Sequence, residues 1–225
     1  MYPGALPYVL ALLAVASLTL GIAVYAFRRA GQPGALIFGL CTAAMGEWAA
    51  FYALELFAPD LPNKLWAAKM EYLGIAAVPP LWLAFAVQYT GRVRWLTRGT
   101  RLLLVVPAAV TFALALTNEW HHLIWSGVRL DPGGAPALDV LGHGAWFWVH
   151  VSISYAFVLA GFVLYVRAFA RAARPYRHQM ILMMLGAVAP LAGNVVFLTG
   201  LFPLPWLDLT PFAFMASGVL LALGF

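Results

Sequence analysis

Four polar side chains stand within otherwise apolar stretches of this chain, Glu47, Glu71, His150 and Asn194, and Asp208 stands at the start of another. An acid inside a hydrocarbon layer costs about 2.5–3.5 kcal/mol on insertion scales, so each needs a partner or a task. Along helices rising about 1.5 Å per residue, Glu71, His150 and Asn194 come from three segments yet fall at one depth, roughly 8–9 Å below the same rim. Asp208 sits above them, and Glu47 lies deepest, near the midplane. Flanked by Trp66, Tyr72, Trp146 and Trp206, these groups are expected to line an outward-open pocket for a small polar or cationic ligand. The same residues could instead pair with one another and hold helices together, or form a proton or ion path. Glu55 and Lys69, at similar shallow depth on adjacent antiparallel helices, are expected to form a structural ion pair.

Other chemistries find less support. His143 and His150 are seven apart, which is one helix face, but His121 and His122 are adjacent and chelate poorly, whereas zinc usually wants three or four ordered ligands. No metal and no cofactor is expected, haem included. Retinal needs a lysine in the bundle core, and the only lysines, Lys64 and Lys69, lie near the outer edge. Cys41 is the single cysteine, so no disulfide can form within one chain. There is no His-Glu-x-x-His, no Gly-x-Ser-x-Gly, no phosphate-binding Gly-rich loop and no kinase motif. The chain by itself is not expected to be an enzyme.

The elements that must position these groups are membrane helices. Hydrophobic residues make up 64% of the 225 and charged residues 9%, against about 25% charged in a soluble domain. Stretches near the roughly 20 residues that span hydrocarbon run at about Leu6–Phe27, Ala35–Phe57, Leu65–Tyr89, Leu102–Leu116 (extending toward Asn118), Ala145–Val166, Gln179–Leu198 and Leu209–Phe225. Helices are expected because every backbone polar group must be paired within lipid. Ten of the 13 Lys and Arg residues fall in three gaps: Arg28 and Arg29; Arg92, Arg94, Arg98 and Arg101; Arg167, Arg171, Arg174 and Arg177. The alternate gaps carry mostly acids.

That alternation is the positive-inside pattern. It predicts an all-α bundle of seven transmembrane helices in the plasma membrane, N-terminus outside and C-terminus in the cytoplasm, with the arginines as topology determinants and lipid anchors. The net charge of +5 then answers to anionic lipid and calls for no nucleic acid. Arg28 and Arg29 follow the first apolar run instead of preceding it, which argues against a cleavable leader. Trp66, Trp120, Trp125, Trp146 and Trp206 fall at the predicted outer boundary and Trp95 at the inner one. One long outer loop covers residues 118–144; its Asp131–Gly134 is a turn signal, and its segment from Trp120 to Trp125 is expected to lie along the interface. No second domain or linker is evident. Pro79, Pro80, Pro107, Pro190 and Pro211 fall within helices. Pro190 frees the Gly186 carbonyl, which membrane helices tolerate routinely and which could also serve as a hinge.

Several runs carry a resemblance. Leu65-Trp66-Ala67-Ala68-Lys69-Met70-Glu71-Tyr72-Leu73-Gly74 leads to Pro79-Pro80-Leu81-Trp82 and Tyr89-Thr90-Gly91-Arg92. Then come Leu116-Thr117-Asn118-Glu119-Trp120-His121-His122-Leu123-Ile124-Trp125, Gly144-Ala145-Trp146-Phe147-Trp148-Val149-His150, Tyr176-Arg177-His178-Gln179, Pro190-Leu191-Ala192-Gly193-Asn194 and Leu207-Asp208-Leu209-Thr210-Pro211. In order and spacing the chain resembles the N-terminal seven-transmembrane sensor region of bacterial and archaeal histidine kinases, a module also found on diguanylate cyclases. Chains of that family normally continue into cytoplasmic PAS and kinase parts. The resemblance thus implies an input module whose output, a cytoplasmic histidine kinase or cyclase, lies outside this sequence, and it implies a homodimer. A small-solute transporter or channel, and a scaffold that binds a protein partner through its arginine-rich loops, are the competing readings.

Overall fold

A computed structural model describes residues 3–32, 34–171, 174–204 and 206–224. The Arg174 side chain, expected as an anchor, and Phe225, expected to end the last helix, lie outside that description. Eight α-helices are formed: α1 (Leu6–Arg28), α2 (Ala35–Phe57), α3 (Leu61–Tyr89), α4 (Arg98–Leu116), the single turn α5 (Asn118–His121), α6 (Ala145–Arg171), α7 (Arg174–Thr199) and α8 (Thr210–Gly224). Six of these are long and apolar enough to cross a membrane, and α8 contributes a shorter apolar stretch, Thr210–Leu220.

Helix limits follow local chemistry more than hydropathy. The Asp60 side chain accepts the Asn63 N–H at 2.9 Å and Pro62 follows inside the first turn, so α3 starts four residues before its apolar run. Thr97 caps α4 in the same way, accepting from Thr100 N at 3.2 Å. At the other end of α3, Gly91 takes φ 74° and donates to the Gln88 carbonyl at 3.0 Å, a left-handed stop that favours glycine. Arg98, Arg101, Arg167 and Arg171 are consequently helical residues beyond the apolar spans, not loop residues. Buried hydroxyls bond back into their own helices, as Thr19 does to Val15 O at 2.8 Å and Thr42 to Phe38 O at 3.1 Å.

Helices α1, α2, α3, α6, α7 and α8 pack in turn, and α8 closes the ring onto α1 and α2. Helix α4 stands outside, against α3 and α6, and buries only Leu104, Thr111 and Ala115. Phe38, Phe85, Tyr165, Leu12, Leu56 and Phe214 are among the largest fully buried side chains. Close approach depends on glycine: a Cβ on Gly74 of α3 would sit 2.5 Å from the Ala44 carbonyl oxygen of α2. The arginines Arg28, Arg29, Arg94, Arg98, Arg101, Arg167, Arg171 and Arg177 are exposed, and Arg92 is partly so. Arg29, Arg92 and Arg177 lie over the rings of Tyr25, Trp95 and Phe169 at 4.5, 5.5 and 5.4 Å.

The expectation of a purely helical chain is corrected at the long loop, which holds an antiparallel hairpin of β1 (Trp125–Leu130) and β2 (Leu138–His143). Asn118 organises its entry. The Asn118 Oδ1 accepts from Ile124 N at 2.9 Å and Trp125 N at 3.1 Å, and its Nδ2 donates to Trp125 O at 3.0 Å. Asp131 shapes the tip, where its carboxylate accepts from Ala135 N at 2.7 Å and Gly134 takes φ 80°. Arg129 and Asp139 pair across the strands at 2.7 Å. Trp120 is exposed, whereas Ile124 and Trp125 are buried.

Candidate functional site

The hairpin roofs one end of the bundle, and below it α2, α3, α6, α7 and α8 enclose a cavity of about 590 Å³. Two side chains of the helices fasten the roof. Glu55, at the end of α2, accepts the Leu138 N–H on its carboxylate at 2.8 Å. Lys64, in the first turn of α3 and fully buried, donates to Glu55 O at 2.6 Å and to Pro136 O. Each bond satisfies a backbone group that burial would otherwise leave unpaired.

Of the residues expected at a pocket, Glu71, Tyr72, His150, Asn194, Trp206 and Asp208 line this cavity together. They come from α3, α6, α7 and the segment before α8. Glu55 joins them, its carboxyl within hydrogen-bonding reach of that of Glu71. Both residues are 6% exposed, and Glu71 Oε1 has no hydrogen-bond partner. Asp208 accepts the Thr210 N–H at 2.8 Å, at the start of α8. The Asp208 N–H donates to the Tyr52 hydroxyl at 2.9 Å, which ties the α8 entry to α2.

His150 lies 3.4 Å from Thr111 Oγ1 through Nδ1 and 3.4 Å from Ser154 Oγ through Nε2. Thr111 spends its only proton on Pro107 O at 2.8 Å. This assigns Nδ1–H of His150 as the donor and leaves Nε2 to accept from Ser154. Asn194 accepts from the Tyr155 hydroxyl at 2.9 Å, joining α6 to α7 at the cavity wall.

Three expected wall residues lie elsewhere. Trp66 is 54% exposed and packs edge-on to Phe51 on the outer surface of α2 and α3. Trp146 donates its indole N–H to Thr111 at 2.9 Å, behind His150. Glu47 is turned away from the cavity toward Gly74, and neither of its carboxyl oxygens has a hydrogen-bond partner. The expected Glu55–Lys69 ion pair is also corrected. Lys69 pairs with Glu119 at 2.5 Å and donates to Leu116 O at 3.0 Å. Position on α3 explains it: Lys69 faces α4, whereas Lys64 and Glu71 lie on the side toward α2.

A family model for the N-terminal 7TM region of histidine kinases matches residues 11–225. The chain belongs to that family. No curated protein and no solved structure shows a significant match. The family makes this a membrane-embedded sensory input region associated with a histidine kinase.

Electrostatics at the roof of this sensor region bear on what the cavity can hold. Burial pushes the Asp208 carboxyl up to about 6, against the lowering effect of its Thr210 bonds. Burial also holds His143, on the hairpin wall, below the ordinary imidazole value. Partial burial works against ionisation of Glu119, but the Lys69 bond and charge outweigh it and keep that carboxyl below its usual range. Among the described residues, no lysine or arginine lines the cavity. The charged side chains on its wall are therefore carboxyls, those of Glu55, Glu71, Asp131, Asp139 and Asp208. Sequence reasoning missed Tyr52, Tyr155, Trp125 and the hairpin residues Ala135, Ala137, Leu138 and Val140 as wall, and it missed Lys64 as clamp. The one available signal was a lysine three residues inside a capped apolar helix, a position that requires buried acceptors.

Proposed function

We propose that this region is the input module of a membrane sensor that binds a small ligand from the outer side of the plasma membrane and signals to a cytoplasmic histidine kinase or cyclase output. Orientation rests on the arginines: an N-terminus outside leaves all three clusters in the cytosol and turns the hairpin end outward. Glu71, His150, Asn194, Asp208, Tyr72 and Trp206 are the proposed ligand contacts, with Glu55 added. Trp66 and Trp146 act behind or outside that wall, and Glu47 is not assigned to it.

The observation that carries this reading is that Asp208, Thr210 and Phe214 of the last helix and its entry line the same cavity as Glu71 of α3 and His150 of α6. A ligand touching all three elements favours whichever packing of α8 suits it, and only such differential binding can drive a conformational signal. Helix α8 reaches from that contact toward the cytoplasmic end. A displacement there passes to whatever follows, and a homodimer would present two such helices to one output.

Two measurements test the reading. Reporter fusions at Arg94 and Arg171 are expected to score cytoplasmic; an exterior location for either overturns it. In cells carrying the full kinase, Glu71→Ala and Asp208→Asn are expected to change output about tenfold at unchanged membrane abundance, the loss of one charge-assisted hydrogen bond. Output that merely tracks abundance would show that these groups only hold helices together. Solute uptake by vesicles containing this region alone would favour a transporter.

A further inference from the structure

The composition of the cavity wall also specifies a class of occupant, on the reading that this cavity is the sensory site. Its polar end gathers the carboxyls of Glu55, Glu71 and Asp208, with no lysine or arginine among the described residues of the wall. The nearest lysine, Lys64, turns its ammonium into the Glu55 and Pro136 carbonyls. Two acceptors in this group are already engaged: Glu55 Oε1 by Leu138 N at 2.8 Å and Asp208 Oδ1 by Thr210 N at 2.8 Å. Glu71 Oε1 is not. It is buried on a residue 6% exposed and lacks any donor, a condition that costs free energy until an N–H or O–H arrives.

Aromatic faces stand beside that acceptor. Tyr72 and Trp125 meet edge to face at 5.2 Å, and both line the cavity with Trp206. Such walls favour a cation over a neutral or anionic group. Below the acids the lining turns apolar, through Met45, Ile75, Val78, Val158, Ala187 and Phe214. From Glu71 to Trp82 the cavity follows α3 for about 16 Å at a helical rise of 1.5 Å per residue. A compact polar solute would leave that shaft unfilled.

We propose that the cavity binds an organic ammonium ion with at least one N–H and an elongated apolar body. The ammonium group sits at Glu71 Oε1 beside Asp208, between Tyr72, Trp125 and Trp206, and the apolar body extends past Ile75 and Val78. A quaternary ammonium keeps the charge but has no hydrogen to give Glu71. An alcohol of the same length supplies a hydrogen without charge, and a carboxylate meets like charge.

Those four head groups make the test. The purified chain in lipid nanodiscs is titrated with octylamine, octyltrimethylammonium, octanol and octanoate, following indole emission and correcting against empty nanodiscs. Octylamine is expected to bind about tenfold tighter than octanol, with octyltrimethylammonium between them and octanoate weakest. Glu71→Ala is expected to reduce octylamine affinity about tenfold while octanol affinity stays within about twofold, which also reports an intact cavity. Should that variant fail to fold, Asp208→Asn is read the same way. Equal affinity for octylamine and octanol, or an unchanged octylamine affinity in the variant, overturns the ammonium assignment and leaves the cavity a ligand site. Saturable binding of none of the four overturns both the assignment and the sensory reading.

Discussion

Lys64 Nζ and the Pro136 carbonyl oxygen, 72 positions apart in the chain, are joined by a buried hydrogen bond. The same ammonium reaches Glu55 O at 2.6 Å, so one side chain bridges the end of α2 and the hairpin roof from its place in α3. Lys64 is fully buried, at 0% exposure, and a charge so placed persists only with acceptors around it. Lys64→Met retains the stem and removes the donors. The expected result is a loss of about 1–3 kcal/mol, because buried carbonyls lose their donor. A fall in the thermal midpoint, with faster amide exchange confined to residues 131–140, checks it. Exchange that stays slow there would show that Glu55 alone holds the roof.

Lys69 belongs to a different network. Its partner Glu119 is about half exposed, with a side-chain accessibility of 51%, so solvent screens the pair. A double-mutant cycle between Lys69→Met and Glu119→Gln is expected to give a coupling of about 0.2–1 kcal/mol. The cycle between Lys69→Met and Glu55→Gln is expected to give none within error. Coupling of the second pair would restore the ion pair first expected from depth along the helices.

Helix packing is tightest where glycines face bulky neighbours. A Cβ at Gly74 would meet the Ala44 carbonyl oxygen at 2.5 Å and Trp48 Cβ at 2.8 Å, and one at Gly161 would meet Trp82 Nε1 at 2.6 Å. The first collision is with backbone and the second with a side chain. Gly74→Ala is thus expected to destabilise by about 1–3 kcal/mol and Gly161→Ala by less. Detergent-resistant melting of the two variants measured side by side decides the order.

The pH dependence at Asp208 has a definite sign. Its folded value of about 6 lies above the unfolded carboxylate value, which is about 3.9. The folded state therefore binds more protons between those values, and the contribution to stability is complete below about pH 4 and lost as pH rises through about 6. Glu119, held low by Lys69, acts in the opposite sense and loses its contribution as pH falls. Subtracting the stability profile of Asp208→Asn from that of the natural chain isolates the first effect. A difference that is flat between pH 4 and 7 would contradict it.

Hydropathy by itself determined where the long apolar helices run, because lipid length acts on local stretches of chain. Position along each helix also brought Glu71, His150 and Asn194 to one level, with Asp208 above them. Depth is a one-dimensional quantity and survives in sequence. Azimuth is not, since the neighbours around each helix are set by packing. That is why Glu47, Trp66 and Trp146 were expected on a wall they do not line, and why Lys69 was given Glu55 for a partner instead of Glu119. The hairpin went unread because the bonds that fasten it to the helices, from Glu55 and Lys64, run 83 and 72 positions along the chain and leave no local period. Only the tertiary structure decided that these strands close over the carboxyls, leaving Glu71 Oε1 buried without a donor.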